Sequence, residues 1–254
     1  MHPIAFKIGN FPIYYYGVMM VVSYIVTLIV MKYTHDIEKL TYDEAVDVSI
    51  YSIAGGVIGA RLFYVCLNLG TFLKSPIHIL YIREGGLSWH GAMIGGFLGL
   101  FLMSYLKKIP MGRIADYASV HGTLALAIGR LGCFMNGCCY GKECSLPWAV
   151  NFHDAGIHGL RHPTQLYETL MLVVCFFLFL WWWKKKKFDG EMTLLMFAAY
   201  GVIRFVVEFF RENTANQYPG GIEISLAQYF SLAIIIVCAA LLAAKRRKAR
   251  ESGK

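Results

Sequence analysis

The sequence has little charge for its length. Asp, Glu, Lys and Arg make up 16% of its 254 residues, against roughly 25% in soluble domains. Together with 57% hydrophobic residues, this deficit excludes an ordinary soluble domain and predicts an integral membrane protein. There is also no internal repeat, no low-complexity linker and no basic soluble domain. The net charge of +8 therefore does not indicate a nucleic-acid partner.

Seven apolar segments are long enough to cross a membrane as helices, which takes about 20 residues each. They cover 12–31, 46–67, 90–106, 114–132, 164–183, 191–210 and 225–244. We therefore predict an all-α integral membrane fold that forms a single transmembrane domain over 1–254. The first segment lacks a basic leader and a small-residue cleavage site, so we expect it to stay as a helix rather than to be removed as a signal peptide.

Basic residues are concentrated on one side of the predicted membrane. They follow the first segment, separate the third from the fourth, follow the fifth, and form a run from Lys245 after the seventh. The positive-inside rule assigns this side to the cytoplasm, which places the N-terminus outside and the C-terminus inside. Two longer loops, about 68–89 and 133–163, then lie outside, where we expect them to form a small head and to carry the chemistry.

Three arginines lie inside the apolar segments: Arg61, Arg130 and Arg204. An ionisable side chain inside a bilayer is costly and usually faces a bundle interior or a wet cavity, so each is a functional candidate. An arginine fork suits bidentate phosphate binding, and lipid phosphate is the common anion at membrane depth. The simpler interpretation is that an arginine near a segment end reaches to the interface with its long side chain.

Other ionisable residues accompany these arginines. Glu208 and Arg211 share one helix stripe with Arg204, so Glu208 can neutralise one arginine, although the stripe can also be purely structural. Glu168, one turn into the fifth segment, is expected to pair with an intramembrane arginine.

His90 opens the third segment at the positive end of its helix dipole, which favours a neutral imidazole able to accept a proton. A lone interfacial histidine is more often only hydrogen-bonded.

Four cysteines cluster in the second outer loop: Cys133, Cys138, Cys139 and Cys144. Their spacing matches no common zinc pattern of paired C-x-x-C, so we expect no metal. In an oxidising exterior they could form disulfides. A redox sensor is therefore one alternative function.

Taken together, the segments resemble the prolipoprotein diacylglyceryl transferase family. The matching pieces follow the family's order across nearly the whole chain: Tyr16-Gly17-Val18-Met19, Gly59-Ala60-Arg61, Gly85 to Gly91, Gly129-Arg130-Leu131-Gly132, Asn136-Gly137, Arg161 to Glu168, and Arg204 to Arg211. The chain departs from the family pattern at Cys133, Cys138 and Ala92. Its signature loop is thus a cysteine-rich variant.

The resemblance implies transfer of the diacylglyceryl group of phosphatidylglycerol to the lipobox cysteine of preprolipoproteins, in a bacterial cytoplasmic membrane and without a cofactor. It implies catalytic roles for His90, Arg130 and Arg204, with His90 as the base. It also implies that phosphatidylglycerol is bound by a set of residues: Arg130, Arg61, Tyr16, Asn136, Gly141 and Glu208. Two alternatives stay open, namely a diverged paralogue with another acceptor and a non-enzymatic transporter of lipid or anion.

Overall fold

The computed structural model describes residues 4–9, 11–73, 75–81, 85–152, 159–211 and 224–252. Within this part of the chain the structure is mainly helical. The α-helices are α1 (Tyr15–Thr34), α2 (Tyr42–Leu67), α3 (Leu69–Phe72), α4 (Trp89–Lys107), α5 (Met111–Met135), α6 (Thr164–Trp183), α7 (Glu191–Glu208) and α8 (Leu226–Ser252). Short 3-10 helices cover His35–Glu38 and Pro76–Leu80.

Two small antiparallel hairpins complete the described elements. The first pairs β1 (Ile4–Ile8) with β2 (Phe11–Tyr14), directly before α1. The second pairs β3 (Val150–Asn151) with β4 (Leu160–Arg161), directly before α6.

Each of the seven predicted segments contains a long helix, although the first begins with three residues of β2. Among the described residues, six of these helices are long and apolar enough to cross a membrane. The exception is α7, whose 18 residues include three charged side chains: Glu191, Arg204 and Glu208. The all-α membrane fold is thus confirmed, whereas the count of seven spans, the orientation and the outer head stay predictions. Of the two predicted outer loops, positions 74, 82–84 and 153–158 lie outside the described residues.

The chain divides into two compact units, one of residues 1–30 with 119–254 and one of residues 31–118. The prediction of a single transmembrane domain is left untested by this division. We describe the two units separately.

In the unit of residues 31–118, α2 and α4 pack backbone to backbone. A methyl group added at Gly95 would overlap the carbonyl of Gly55, and one added at Gly59 would overlap the carbonyl of Gly91. Small residues four apart allow this approach. The start of α2 is closed by a capping box, in which Glu44 N donates to Thr41 Oγ1 (3.2 Å) and Thr41 N donates to Glu44 Oε2 (2.8 Å).

In the unit that contains the two chain ends, α5, α6 and α7 share an apolar core. Ala127, Leu172, Ile203 and Val207 are all nearly fully buried there. The N-terminal end of α7 is tied to α8 by an ion pair between Glu191, which is fully buried, and Arg246. This packing fixes the orientation of α5, α6 and α7 relative to one another.

Candidate active site

Arg130, which is partly buried, forms an ion pair with the buried Glu168. Its Nη2 lies 2.9 Å from Glu168 Oε1, and the side chains are 17% and 3% exposed, respectively. Arg130 is on α5 and Glu168 is one turn into α6, so the pair links the two helices at the same depth. The prediction that Glu168 pairs with an intramembrane arginine is confirmed. Because a buried charge is stable only when it is paired, each partner makes the other tolerable at this position.

A second arginine–carboxylate pair lies on α7. Arg204 Nη2 is 3.3 Å from Glu208 Oε2, one turn along the helix. The other carboxylate oxygen, Oε1, accepts a hydrogen bond of 3.2 Å from Ser225 Oγ. Ser225 precedes α8, so Glu208 is held from two sides and Arg204 is oriented by a fixed carboxylate.

Tyr200 connects the two pairs. Its hydroxyl accepts a hydrogen bond of 3.3 Å from Arg130 Nη2, and it lies four residues before Arg204 on α7. Residues four apart lie on the same helix face. Arg130 and Arg204 therefore face one region where α5, α6 and α7 meet. Tyr200 was missed in the sequence, although its spacing from Arg204 was a usable signal.

Both arginines keep a buried nitrogen without a hydrogen-bond partner among the described residues. These are Arg130 Nε and Arg204 Nη1, and the carbonyl oxygen of the Gln165 side chain is in the same condition. An unsatisfied buried donor costs about 1–3 kcal/mol. Two guanidinium donors match the acceptor oxygens of a phosphate.

The loop after α5 is fixed by side chains at the start of α6. Thr164 Oγ1 donates to the carbonyl of Cys139 (2.7 Å), and Gln165 Nε2 donates to the carbonyl of Cys138 (2.6 Å). Both α6 side chains are buried. These two hydrogen bonds were not predicted from the sequence, because they join residues 25 and 27 positions apart.

Gly141 lies where this loop crosses two other backbone segments. Its N–H donates to the carbonyl of His162 (2.9 Å), and it forms a β-bridge with Arg211. A methyl group added there would overlap the carbonyl of Phe210 and approach Thr164 Cγ2 to 2.8 Å. The need for glycine here is therefore explained by backbone packing, and the structure gives no separate support for a role of Gly141 in binding phosphatidylglycerol.

Three thiols gather beside Arg130. Cys133, one helical turn after Arg130, is in hydrogen-bond contact with Cys138 and Cys139. The hydrogen bonds from Cys133 and Cys138 lower the pKa of the Cys139 thiol well below its ordinary value, and the positive charge of Arg211 acts in the same direction. The thiolate of Cys139 is consequently favoured.

Tyr16 and Asn136 lie at the edge of this cluster. The Tyr16 side chain lies near Cys133 and Arg130, and α1 packs against Gly132 at Tyr16. The Asn136 side chain contacts the Cys138 thiol. Sequence analysis grouped Tyr16 and Asn136 with Arg130, and the structure brings them to the same end of α5.

Arg61 belongs to the unit of residues 31–118 and is surrounded by backbone carbonyls. Its guanidinium donates to five of them: His78, Ile79, Tyr81, Gly85 and Gly86. A guanidinium has five N–H groups, so all are occupied by the loop between α2 and α4. The prediction that Arg61 binds phosphatidylglycerol gains no support from this geometry, because no N–H is left for a phosphate.

His90 is also in the unit of residues 31–118. It is exposed near the start of α4, and its ring lies edge-on to Trp89 at 5.6 Å between centroids and tilted against Phe63 at 6.3 Å. Its role as a base therefore stays a prediction.

No group of three His, Cys, Asp or Glu side chains among the described residues is arranged to hold a metal ion.

These features define a class of protein: a helical membrane protein in which two partly buried, paired arginines each keep one buried nitrogen without a hydrogen-bond partner among the described residues. Comparison with known proteins gives the family. The sequence profile described as prolipoprotein diacylglyceryl transferase matches residues 3–244. The chain belongs to this family of transferases, and the resemblance drawn from its motifs is confirmed.

Individual relatives agree with the family assignment. A phosphatidylglycerol–prolipoprotein diacylglyceryl transferase of Bordetella avium is 34% identical over 241 residues, covering 92% of this chain and 90% of the relative. Proteins of the same description from Geobacter sulfurreducens and Aliivibrio salmonicida are each 34% identical, over 84% and 92% of this chain and 84% of each relative.

Proposed function

We propose that this protein transfers the diacylglyceryl group of phosphatidylglycerol to the lipobox cysteine of preprolipoproteins in a bacterial cytoplasmic membrane. The names of its relatives support both substrates. The observation that carries the proposal is a pair of partly buried arginines whose buried donors, Arg130 Nε and Arg204 Nη1, have no hydrogen-bond partner in the described part of the chain.

In this reaction the substrate supplies the nucleophile. The cysteine thiol gives up its proton. The thiolate then forms a bond to the carbon of the diacylated glycerol that carries the phosphoester. The bond between that carbon and the phosphate oxygen breaks, so glycerol phosphate leaves with the electron pair and a thioether remains. No metal or nucleotide takes part.

The arginines act on the leaving group. Negative charge grows on the phosphate as the carbon–oxygen bond breaks, and fixed donors in a site shielded from water stabilise such charge strongly. Glu168 and Glu208 hold the two guanidinium groups in place beforehand. Arg130 and Arg204 therefore need little rearrangement when the charge develops.

We assign supporting roles to four other residues. Tyr16 and Asn136, beside the thiol cluster, donate hydrogen bonds to the headgroup. Arg61 positions the loop between α2 and α4 through its five carbonyl contacts. His90 accepts the thiol proton, a role that rests on the family resemblance.

The fate of the headgroup tests the proposal. Purified protein in detergent is given phosphatidylglycerol labelled in the headgroup glycerol, with a lipobox peptide or the same peptide carrying serine in place of cysteine. We expect water-soluble labelled glycerol phosphate only with the cysteine peptide. Release of intact lipid without cleavage, or cleavage independent of the peptide's cysteine, would contradict the proposal and favour a transporter or another acceptor.

A further inference from the structure

The thiol cluster of Cys133, Cys138 and Cys139 has no part in the proposed transfer, because the substrate supplies the reacting thiol. All three side chains are free thiols of intermediate exposure. The Cys138 S–H donates to the carbonyl of Cys133 (3.6 Å), and the Cys133 and Cys138 thiols both lie within interaction range of the Cys139 thiol. Three thiols in mutual contact at the end of a helix form a chemically distinct site.

The surrounding backbone holds the thiols together. Cys138 N donates to the carbonyl of Cys133 (3.2 Å), which folds the chain back over the end of α5. Cys139 has a left-handed backbone with φ of 65°, which is uncommon for a residue with a side chain. Its carbonyl and that of Cys138 are fixed by Thr164 and Gln165. The loop therefore cannot separate the thiols without losing several of these bonds.

Two other uses of the cluster are disfavoured. Among the described residues, no group of three His, Cys, Asp or Glu side chains is arranged to hold a metal ion. A general base is also a poor fit, because the lowered pKa of Cys139 makes its thiolate a weak proton acceptor. A stabilised, partly exposed thiolate with neighbouring thiols is instead typical of thiol–disulfide exchange.

We propose that Cys139 and Cys133 form a reversible disulfide by exchange with a protein or small-molecule disulfide. The Cys139 thiolate attacks one sulfur of that disulfide and releases the other as a thiolate, leaving a mixed disulfide. Cys133, after losing its proton, attacks the Cys139 sulfur and expels the second thiolate. The incoming disulfide is reduced to two thiols, and the two cysteines are oxidised by two electrons.

Cys133 is the resolving residue because of backbone geometry. Consecutive Cα atoms are about 3.8 Å apart across a trans peptide, whereas disulfides usually join Cα atoms about 4.4–6.8 Å apart. A bond between the adjacent Cys138 and Cys139 would therefore be strained. Cys133 reaches Cys139 from the helix end without this constraint.

The test uses the full chain in detergent, fully reduced and then exposed to oxidised glutathione. Trypsin cleaves after Arg130 and Lys142, so one peptide, 131–142, carries all three cysteines. We expect the mass of this peptide to fall by the mass of two hydrogen atoms. Its fragmentation pattern should show that the disulfide joins Cys133 with Cys139. The peptide should regain that mass when a reducing agent is added.

Three variants make the outcome decisive. Cys144→Ser, outside the cluster, should form the same disulfide as the natural chain. Cys133→Ser should stop at glutathione on Cys139, and Cys139→Ser should lose the fast reaction. The proposal is overturned if the folded natural chain stays reduced while the unfolded chain reacts, if glutathione remains on it unresolved, or if the bond joins Cys138 with Cys139.

Discussion

Replacing Arg130 by lysine separates the two tasks of this residue, which are to balance Glu168 and to hold phosphate. The contact with Glu168 is made by Nη2 at 2.9 Å, and a lysine ammonium keeps the charge for it. The donor left free is Nε, which lysine lacks at that position. We therefore expect Arg130→Lys to fold and to bind lipid, but to react slowly.

The size of the loss follows from what the site gives up. Removing one preorganised donor from a shielded site costs about 2.7–4 kcal/mol of transition-state stabilisation, or about 100- to 1,000-fold in kcat. Because the lost interaction strengthens as the phosphate leaves, the loss should fall mainly on kcat rather than on KM. By contrast, Arg130→Ala leaves the carboxylate of Glu168, which is 3% exposed, without its cation and should destabilise the protein by about 3–5 kcal/mol.

The assay measures initial transfer rates from phosphatidylglycerol to a lipobox peptide over a range of lipid concentrations, beside thermal unfolding in the same detergent. Arg247→Lys is the matched control, since Arg247 is 84% exposed on α8 and pairs with the exposed Glu251. It should leave the rate unchanged. If Arg130→Lys transfers within about threefold of the natural rate, the role of a directed donor is refuted.

Three further substitutions test the fold and the site. Gly141→Ala should lower the thermal unfolding midpoint because its methyl group meets backbone, by a free energy of about 3 kcal/mol, whereas Gly122→Ala, with open space around it, should be neutral or slightly stabilising. Gly95→Ala should destabilise the packing of α2 and α4 far more than its neighbour Gly96→Ala, which meets only an ordinary contact at 3.4 Å; equal midpoints for the two would contradict the packing. Tyr200→Phe should lower kcat/KM about threefold to tenfold, the value of one hydrogen bond, and should lower the midpoint slightly because the bond from Arg130 is also lost from the folded protein; an unchanged rate would remove Tyr200 from the site.

Much of the fold was predictable because hydropathy and charge report directly on lipid contact. All seven apolar segments fold as helices, and the pairing of Glu168 with an arginine followed from the cost of an unpaired charge in an apolar segment. Arg130 and Arg204 were identified as candidates for the same reason. These features depend on the composition of single segments and on one ion pair.

Other features depend on loop geometry, which composition does not encode. The five carbonyls around Arg61 come from residues 17–25 positions away, and only the folded loop shows that they occupy the guanidinium. The left-handed backbone of Cys139, within the thiol cluster, is likewise a feature of the folded loop. The sequence showed clustered cysteines, but not which of them touch.

The most direct measurement of the central claim is transfer by the double variant Arg130→Gln with Glu168→Gln. Removing both charges together avoids an unpaired buried carboxylate, so the protein should fold with an unfolding midpoint near the natural one. Protein, lipobox peptide and phosphatidylglycerol labelled in an acyl chain are incubated, and label on the peptide's cysteine is counted. We expect a folded protein that places no label on the cysteine. Label at the natural rate would contradict the assignment of the reaction to the arginine site.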